Sequence, residues 1–470
     1  MKIMNNAHRP LYIGAIFFFF CLILLIPNIY LQSKTVIANP KFIIYEGTVS
    51  KHKQTVKIKN GKKTIAKISL DEPTIVAVAD EPLKWGYFQF PNIYRMVDGA
   101  LLVTWQMRAD SYKAYGQRNV GKNKRMSKDN GKTWIDYDGR YEREQYIFAV
   151  KDGEEYFSIS SPAPNDITKF HNFPNAIDEI YHYGIKYQFY NDSDLPDNVG
   201  GIYVRRWTNR KVPASEVKIL HAKFKDDGLC RYSTDNQIST LWDGDIKQLN
   251  NGDVVGCTYR GFYCNERGKI LPSGISFYKW NEDELSWHIL GKIPFEPDLK
   301  ADPTGLQRKV WGFTEPTFVE LENGTLVCVV RSSEEEKLTP MYRSVSMDHG
   351  KTWSKPIAFT PNGVSPHFLK LRNGTIVLSS GRPGVQLRFN FDGTAENWTE
   401  PIDMLPFIKQ DGSYEREVSC GYTGLLPIDD ESFYLVYSDF LQKDSKGNVR
   451  KSIKIRKIIV RNYTKKYNIL

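Results

Sequence analysis

The chain has 470 residues, of which 41% are apolar and 13% aromatic, so it can bury a large core in one β domain. Its formal net charge is +10, yet residues 441–470 alone hold ten Lys or Arg side chains against the single acid Asp444. The remainder is therefore close to neutral. A nucleic-acid-binding face needs basic side chains spread over the fold, so this distribution argues against a nucleic-acid partner.

An apolar segment near the N-terminus predicts export. Residues 11–26 carry no charge and follow the basic residues Lys2 and Arg9. Their number falls between the core of a signal peptide and a transmembrane helix of ~20 residues, and the basic flank places the N-terminus in the cytoplasm. We therefore expect residues 11–31 to be a signal peptide or a membrane anchor.

The localisation depends on whether this segment is removed. The small-residue pattern Val36-Ile37-Ala38 predicts cleavage before Asn39, which makes the mature protein secreted or periplasmic. Without cleavage, residues 1–10 stay in the cytoplasm and the segment anchors the protein in the membrane. In both cases the main domain lies outside the cytoplasm.

A hairpin pattern recurs along the rest of the chain: a polar turn between a hydrophobic residue and an alternating apolar run. The turns are Asp98-Gly99, Asn251-Gly252, Asn323-Gly324, Asn373-Gly374 and the glycine-free Asp429-Asp430. Intervals of roughly 50 to 70 residues suit four-stranded propeller blades. The longer first interval suits two blades with an insertion at residues 136–240. The pattern predicts an all-β, six-bladed propeller.

A second motif is in phase with the hairpins. The form S-x-D-x-G-x-T-W occurs at residues 127–134 and 346–353, with degenerate copies at 390–398 and around 282–287. Its Asp can accept local backbone N–H groups, its Gly favours a positive φ, and its Trp can fill the blade core. These residue types predict a structural turn and not a catalytic group.

The S-x-D-x-G-x-T-W segments resemble the Asp-boxes of the sialidase superfamily. The resemblance covers roughly residues 85–439 and implies a sialidase-like propeller. Closure of a propeller pairs the last strand with an early one, so we expect residues 453–460 to pair with the N-terminal half, the basic hairpin near Asn60-Gly61 being a candidate. The predicted organisation is a linker and basic hairpin at 32–84, the propeller at 85–463 and a basic tail at 464–470.

The resemblance also implies a reaction. Sialidases hydrolyse a glycosidic bond with a Tyr nucleophile assisted by a Glu, and an Asp protonates the leaving group. Residues 420–426 resemble the nucleophile strand, which makes Tyr422 the candidate nucleophile. Glu315, in Thr314-Glu315-Pro316, is the candidate partner, and Asp110, after the first hairpin, is the candidate general acid.

Three arginines bind the substrate carboxylate in that family, because the planar guanidinium group matches a carboxylate. Arg331 and Arg382 match the second and third. Gln89-Phe90-Pro91 stands where the family has Arg-Ile-Pro, so Gln89 replaces the first arginine. Arg108 is a candidate substitute in the clamp, as are Arg95 and Arg118. The expected ligand is a glycan, carboxylate-bearing sugars among the candidates, and no metal or cofactor is implied.

Two other functions stay open. A polysaccharide lyase on a similar propeller would use a His or Tyr base, and the aromatic-rich insertion contains His171 and His182. A glycan-binding propeller without activity is the other alternative, favoured by the missing arginine. Cys257 and Cys264 flank a short loop and are predicted either to form a disulfide or to stay free.

Overall fold

The computed structural model describes residues 44–46, 52–110, 119–139, 146–208, 217–333, 339–382, 384–405 and 418–464. They fall within one compact unit, Thr35–Leu470. Their regular structure is strands and short 3-10 turns, with no α-helix among them. A search of these same residues finds no helix that is long and apolar enough to cross a membrane. The segment at 11–31, the predicted cleavage site and the tail beyond residue 464 lie outside them.

The strands are numbered β1 to β33 in chain order. Strands β1 to β8 are Ile44–Glu46, Gln54–Asn60, Lys63–Leu70, Thr74–Val78, Tyr87–Arg95, Leu101–Met107, Lys124–Ser127 and Ile135–Asp136. Strands β9 to β18 are Phe148–Val150, Glu155–Ser160, Asn165–Asp166, Asp178–His182, Ile185–Asn191, Ile202–Trp207, Lys218–Ala222, Phe224–Lys225, Cys230–Thr234 and Gln237–Ile238.

Strands β19 to β26 are Ile246–Gln248, Val254–Thr258, Ile275–Asn281, Ser286–Ile293, Phe313–Glu320, Leu326–Ser332, Met341–Ser346 and Ile357–Thr360. Strands β27 to β33 are Val364–Lys370, Ile376–Gly381, Val385–Asn390, Ile402–Leu405, Thr423–Pro427, Ser432–Lys443 and Val449–Asn462. The 3-10 turns are Lys151–Gly153, Ile167–Lys169, Asp192–Asp194 and Gly305–Gln307.

Among the described residues these strands form seven sheets. Six contain a run of four antiparallel strands, in the orders β5-β6-β7-β8, β9-β10-β14-β15, β19-β20-β21-β22, β23-β24-β25-β26, β27-β28-β29-β30 and β31-β32-β33-β4. The seventh has the order β11-β18-β17-β13-β12 and lies within the predicted insertion. First strands of neighbouring sheets pack together: β23 against β27, β27 against β31, and β31 against β5.

The predicted hairpin turns are confirmed, and each joins the first two strands of a four-stranded antiparallel run. In all five, the side chain of the turn's first Asp or Asn accepts a hydrogen bond at 3.0 to 3.1 Å from the backbone N–H two residues later. In four of them the next residue is a glycine with a φ between 81° and 88°. This local chemistry fixes the turns without help from the rest of the fold.

The S-x-D-x-G-x-T-W segments form the expected self-contained turns. In the second copy, Asp348 accepts from the Thr352 backbone N–H at 2.9 Å and from its hydroxyl at 2.6 Å, which lowers the pKa of Asp348 to about 2. The Trp353 indole N–H donates to the Gly350 carbonyl at 3.0 Å. The first copy has the same hydrogen bonds.

The C-terminal strand pairs with the N-terminal region, as the sequence predicts. Strand β33 lies beside β32 and pairs with both β3 and β4; Val460 is opposite Ile68, and Ile455 opposite Thr74. Apolar side chains of β2, β3 and β33 pack in one core cluster with those of β28 and β29. The basic hairpin near Asn60-Gly61 is therefore part of the folded core, while its lysines face outward.

The structure has no disulfide between Cys257 and Cys264, because both thiols are free. Strand β20 directs Cys257 into the core between β19–β22 and β23–β26, whereas Cys264 lies beyond that strand in a cluster with Cys230. The disulfide alternative is thus wrong for this pair.

Replacement of Trp398 by Ala tests the structural role of the Asp-centred turns, since Trp398 ends the degenerate copy at residues 390–398. The side chain is 3% exposed, packs against Phe359 and Phe368, and donates its indole N–H to the Ala395 carbonyl. We expect the free energy of unfolding to fall by ~3–5 kcal/mol in urea titrations, as for other buried Trp residues. The control Met347→Ala, at an 86% exposed position, should change it by less than about 0.5 kcal/mol.

Candidate active site

One cavity of about 790 Å³ lies where the first strands of several sheets begin. Its volume falls within the range of ~300–1,000 Å³ that is usual for small-molecule sites. Phe90, Glu315 and Ser365 line it, each with a φ between 47° and 52° and each followed by proline. The strand register shifts at each of the three. Such a bulge turns a side chain out of the sheet pattern, which here directs it into the cavity.

Glu315 is the centre of the hydrogen bonding in this cavity. Its Oε1 accepts from the Tyr422 hydroxyl and from Arg331 Nη1, the latter at 2.8 Å. Its Oε2 accepts from the Ser365 backbone N–H at 2.7 Å. The four groups come from β23, β24, β27 and the residue before β31, so one carboxylate connects three sheets.

Arg382 lies beside the Tyr422 ring. Its guanidinium carbon is 5.7 Å from that ring's centroid, and its Nε donates to the Cys420 carbonyl at 3.2 Å. The backbones at Gly381 and Gly421 lie close together, since a Cβ on Gly381 would lie 2.0 Å from the Gly421 carbonyl oxygen. Glycine at both positions allows the approach that places Arg382 beside Tyr422.

Asp110 and Arg108 line the same cavity from the chain beyond β6. The Trp85 indole N–H donates to Asp110 Oδ2 at 2.8 Å, which fixes the carboxylate. Arg108 donates from Nε to Gln106 Oε1 at 3.3 Å. The structure thus gathers Tyr422, Glu315, Arg331, Arg382, Asp110 and Arg108 in one cavity.

Gln89 is not gathered with them. It is 0% exposed, does not belong to the cavity lining, and neither of its side-chain amide atoms has a hydrogen-bond partner among the described residues. The bulge instead turns Phe90 into the cavity, where its ring meets the Tyr422 ring edge-on with centroids 4.5 Å apart. An apolar ring therefore stands beside the candidate nucleophile where the sequence comparison placed an amide.

The other candidates lie elsewhere. Arg95 donates to the Gly99 carbonyl at the turn end of β5, away from the cavity, and Arg118 lies outside the described residues. Neither His171 nor His182 belongs to the described cavity lining. Within the described ranges no group of three or more His, Cys, Asp and Glu side chains could hold a metal ion.

The electrostatics keep Glu315 charged and Tyr422 neutral. Burial alone raises the pKa of Glu315, but the charge of Arg331 and the hydrogen bond from Tyr422 outweigh it and hold that pKa below its usual value. Burial and the negative charge of Glu315 raise the pKa of Tyr422 well above its ordinary value. The pair is therefore a neutral phenol that donates a hydrogen bond to a charged carboxylate.

Several lining residues were missed in the sequence. Asp243, Asp245, Tyr259, Arg260, Trp311 and His367 all face the cavity. Asp243 stands eight residues before the turn residue Asn251, and Glu315 stands eight residues before Asn323, so the phase of Asp243 in the hairpin repeat was an available signal. Arg260 and Trp311 had no such signal.

Comparison with known proteins gives a likeness of fold. No protein-family model and no curated protein matches the chain. A crystal structure of a protein of unknown function from Dyadobacter fermentans is 17% identical with a TM-score of 0.51, and the match covers 84% of this chain and 99% of that one. The two chains share a fold.

Two sialidases also match, less closely in three dimensions. The Hadza microbial sialidase Hz136 is 14% identical with a TM-score of 0.45, covering 86% of this chain and 74% of that one. The Trypanosoma rangeli sialidase in complex with the inhibitor DANA is 14% identical with a TM-score of 0.38, covering 79% and 55%.

The charge on Glu315 makes a prediction for acid stability. The pKa of Glu315 is lower in the folded state than in the unfolded state, where it is ~4.3. The charged carboxylate therefore stabilises the fold above the unfolded-state pKa, and this stabilisation is lost as pH falls through the folded-state pKa. We expect Glu315→Gln to lower the free energy of unfolding by ~3 kcal/mol at pH 7, because the substitution breaks a buried ion pair. The difference in unfolding free energy between wild type and variant should narrow below about pH 4. Urea titrations from pH 7 to about pH 3 measure it.

The matched control is Glu266→Gln in an exposed loop, which should follow the wild type at every pH. A constant gap between Glu315→Gln and wild type across the acid range would contradict the assignment of a buried charge to Glu315.

Proposed function

We propose that the protein is an extracytoplasmic, sialidase-like glycoside hydrolase that acts on a glycan with a negatively charged sugar. We also propose that six of its sheets are the blades of one propeller. The observation that best supports this activity is the hydrogen bond from the Tyr422 hydroxyl to Glu315, with Arg331 paired to the same carboxylate and Arg382 beside the Tyr422 ring. The sequence motifs of the sialidase superfamily support the same assignment.

The first half-reaction forms a bond between Tyr422 and the sugar. The hydroxyl oxygen attacks the anomeric carbon, its proton passes to Glu315, and Asp110 protonates the departing glycosidic oxygen. A neutral nucleophile avoids repulsion with an anionic sugar. The buried carboxylate beside it takes the proton at the moment of attack, so Tyr422 need not ionise beforehand.

The second half-reaction releases the sugar. Asp110, now a carboxylate, takes a proton from water, whose oxygen attacks the anomeric carbon, and Tyr422 departs and recovers its proton from Glu315. Two displacements retain the anomeric configuration.

The charged side chains that line the cavity with Tyr422 indicate that the sugar is negatively charged. Three guanidinium groups, those of Arg108, Arg331 and Arg382, face the carboxylates of Glu315 and Asp110. This excess of positive charge favours a ligand with one negative group, and a planar guanidinium group suits a carboxylate. With Phe90 in the cavity and Gln89 outside it, Arg108 is the third arginine available to the anionic group beside Arg331 and Arg382.

Replacement of Tyr422 by Phe tests the nucleophile. We expect kcat on aryl glycosides of acidic sugars to fall by about 10³-fold or more, because the attacking oxygen is gone. The thermal midpoint should stay nearly unchanged, since the ring keeps its contact with Phe90. The matched control is Tyr434→Phe, whose hydroxyl donates to the Asn130 carbonyl outside the cavity, and it should keep full turnover.

The same assay separates the rival functions. Wild-type turnover that survives in Tyr422→Phe would rule out the Tyr nucleophile. Products that absorb in the ultraviolet as unsaturated uronic acids would favour a lyase. Glycan binding without turnover by wild-type protein would favour a non-catalytic glycan-binding propeller.

Export is tested by the N-terminus of the protein made in its own host. If the signal is cleaved, N-terminal sequencing of the secreted or periplasmic protein should begin at Asn39. An intact N-terminus in the membrane fraction identifies an anchor, with the main domain accessible to protease only from outside. Full-length protein in the cytoplasm would contradict both forms of the proposal.

A further inference from the structure

A short turn at residues 84–87 holds the carboxylate of Asp110. Its Trp85 lines the cavity and donates the indole N–H to Asp110 Oδ2 at 2.8 Å. Gly86 lies directly against the chain that carries the acid, since a Cβ on Gly86 would be 2.2 Å from the Asp110 backbone nitrogen. The Gln106 side-chain amide donates to the Gly86 carbonyl at 3.2 Å. The turn and the chain around Asp110 therefore form one connected unit.

Lys451, on the last strand β33, holds this turn at both ends. Its ammonium group donates to the Lys84 carbonyl at 2.6 Å and to the Tyr87 carbonyl at 3.3 Å. The same nitrogen lies 4.5 Å from the centroid of the Phe440 ring. Burial lowers the pKa of Lys451 to about 8. The cation has thus exchanged part of its water shell for two carbonyls and an aromatic ring, which fixes the turn relative to β33.

The Trp85 ring has two further contacts. It meets the Phe440 ring edge-on, with centroids 6.3 Å apart and an interplanar angle of 90°. The guanidinium carbon of Arg382 lies 5.8 Å from the centroid of the Trp85 ring. Because Lys451 binds the backbone on both sides of Trp85 and these contacts restrict the ring, the indole N–H stays directed at Asp110.

This hydrogen bond decides how the Asp110 carboxylate is oriented. Within the described ranges it is the one hydrogen bond that this carboxylate makes. It occupies Oδ2, so Oδ1 is the oxygen left to carry a proton to the departing group. A general acid must lie within hydrogen-bond reach of the atom that it protonates, and a misplacement of about 1 Å can lower a rate about a hundredfold.

We propose that Lys451 and Trp85 are positioning residues for protonation of the leaving group. Lys451 fixes the turn, and Trp85 orients the Asp110 carboxylate with Oδ1 toward the glycosidic oxygen. The proposal rests on the proposed function in so far as Asp110 is the general acid. It gives β33, which is far from Asp110 in the chain, a part in the reaction.

The first experiment tests these contacts without turnover. In 1H–15N spectra of the full chain labelled at tryptophan, the Trp85 indole signal is the one that Trp85→Phe removes. Lys451→Met keeps the aliphatic stem and removes the donors, so we expect it to shift this signal and to speed exchange of the indole proton with solvent about tenfold. The matched control Lys457→Met makes the same change further along β33 and should leave the signal as in wild type.

An unchanged Trp85 signal in folded Lys451→Met protein would overturn the role of Lys451. This readout needs no catalysis, so it separates failure of the positioning contacts from failure of the hydrolase.

The second experiment varies the leaving group. A dinitrophenolate departs without being protonated, whereas phenolate, whose conjugate acid has a pKa of ~10, needs the general acid. For Trp85→Phe and for Lys451→Met we expect kcat/KM to fall about tenfold or more on the phenyl glycoside of the acidic sugar, and to stay within about twofold of wild type on its dinitrophenyl glycoside.

The matched control is Trp134→Phe, which removes an indole N–H that donates to the Gly131 carbonyl in the Asp-centred turn at residues 127–134. It should equal wild type on both substrates. An equal loss on both glycosides in Trp85→Phe, or no loss on the phenyl glycoside, would overturn the proposal. Failure of wild type to hydrolyse either glycoside would refute the hydrolase and the catalytic part of the proposal, while the indole signal still reports the contacts.

Discussion

The buried carboxylate of Glu315 is the interaction on which the site depends. It accepts hydrogen bonds from a side chain on its own sheet, from a backbone N–H at the start of β27 and from the phenol that precedes β31. A buried carboxylate without such partners would be strongly destabilising, so the three sheets must meet in register for the charge to persist. The hydrogen bonds of Glu315 therefore depend on the packing of β23 against β27 and of β27 against β31.

The geometry is obtained at the cost of backbone strain. Glu315 and Ser365 have left-handed φ values, which non-glycine residues adopt at a cost of the order of 1–3 kcal/mol each. A well-packed apolar pair in place of Glu315 and Arg331 could be as stable or more so. Stability alone therefore does not explain why these residues are there, whereas the proposed reaction, which needs a proton acceptor beside Tyr422, would explain them.

The features that could be predicted from the sequence are those formed by interactions between residues close together in the chain. The five hairpin turns and the Asp-centred turns are fixed by hydrogen bonds within a few residues, so their motifs were readable, and their phase brought Tyr422, Glu315, Arg331 and Arg382 together. Gln89 was misplaced because a bulge shifts the side-chain alternation, and one residue of shift exchanges the two faces of a strand. The inserted sheet was missed because its pairing of β13 with β17 joins residues separated by some forty positions.

The position of Phe90 has a consequence for how charge is arranged in the cavity. A further cation in the place of Phe90 would lower the pKa of Tyr422, as Arg331 and Arg382 already do, whereas the apolar ring leaves burial and Glu315 to hold that pKa above its ordinary value. The phenol therefore stays neutral before the proposed reaction, in which attack and proton transfer to Glu315 would occur together. Positive charge is left to Arg331, Arg382 and Arg108, which can stabilise an anionic sugar. With Phe90 in this place, the Tyr422 hydroxyl and the Glu315 carboxylate stay in contact, as the proposed reaction requires.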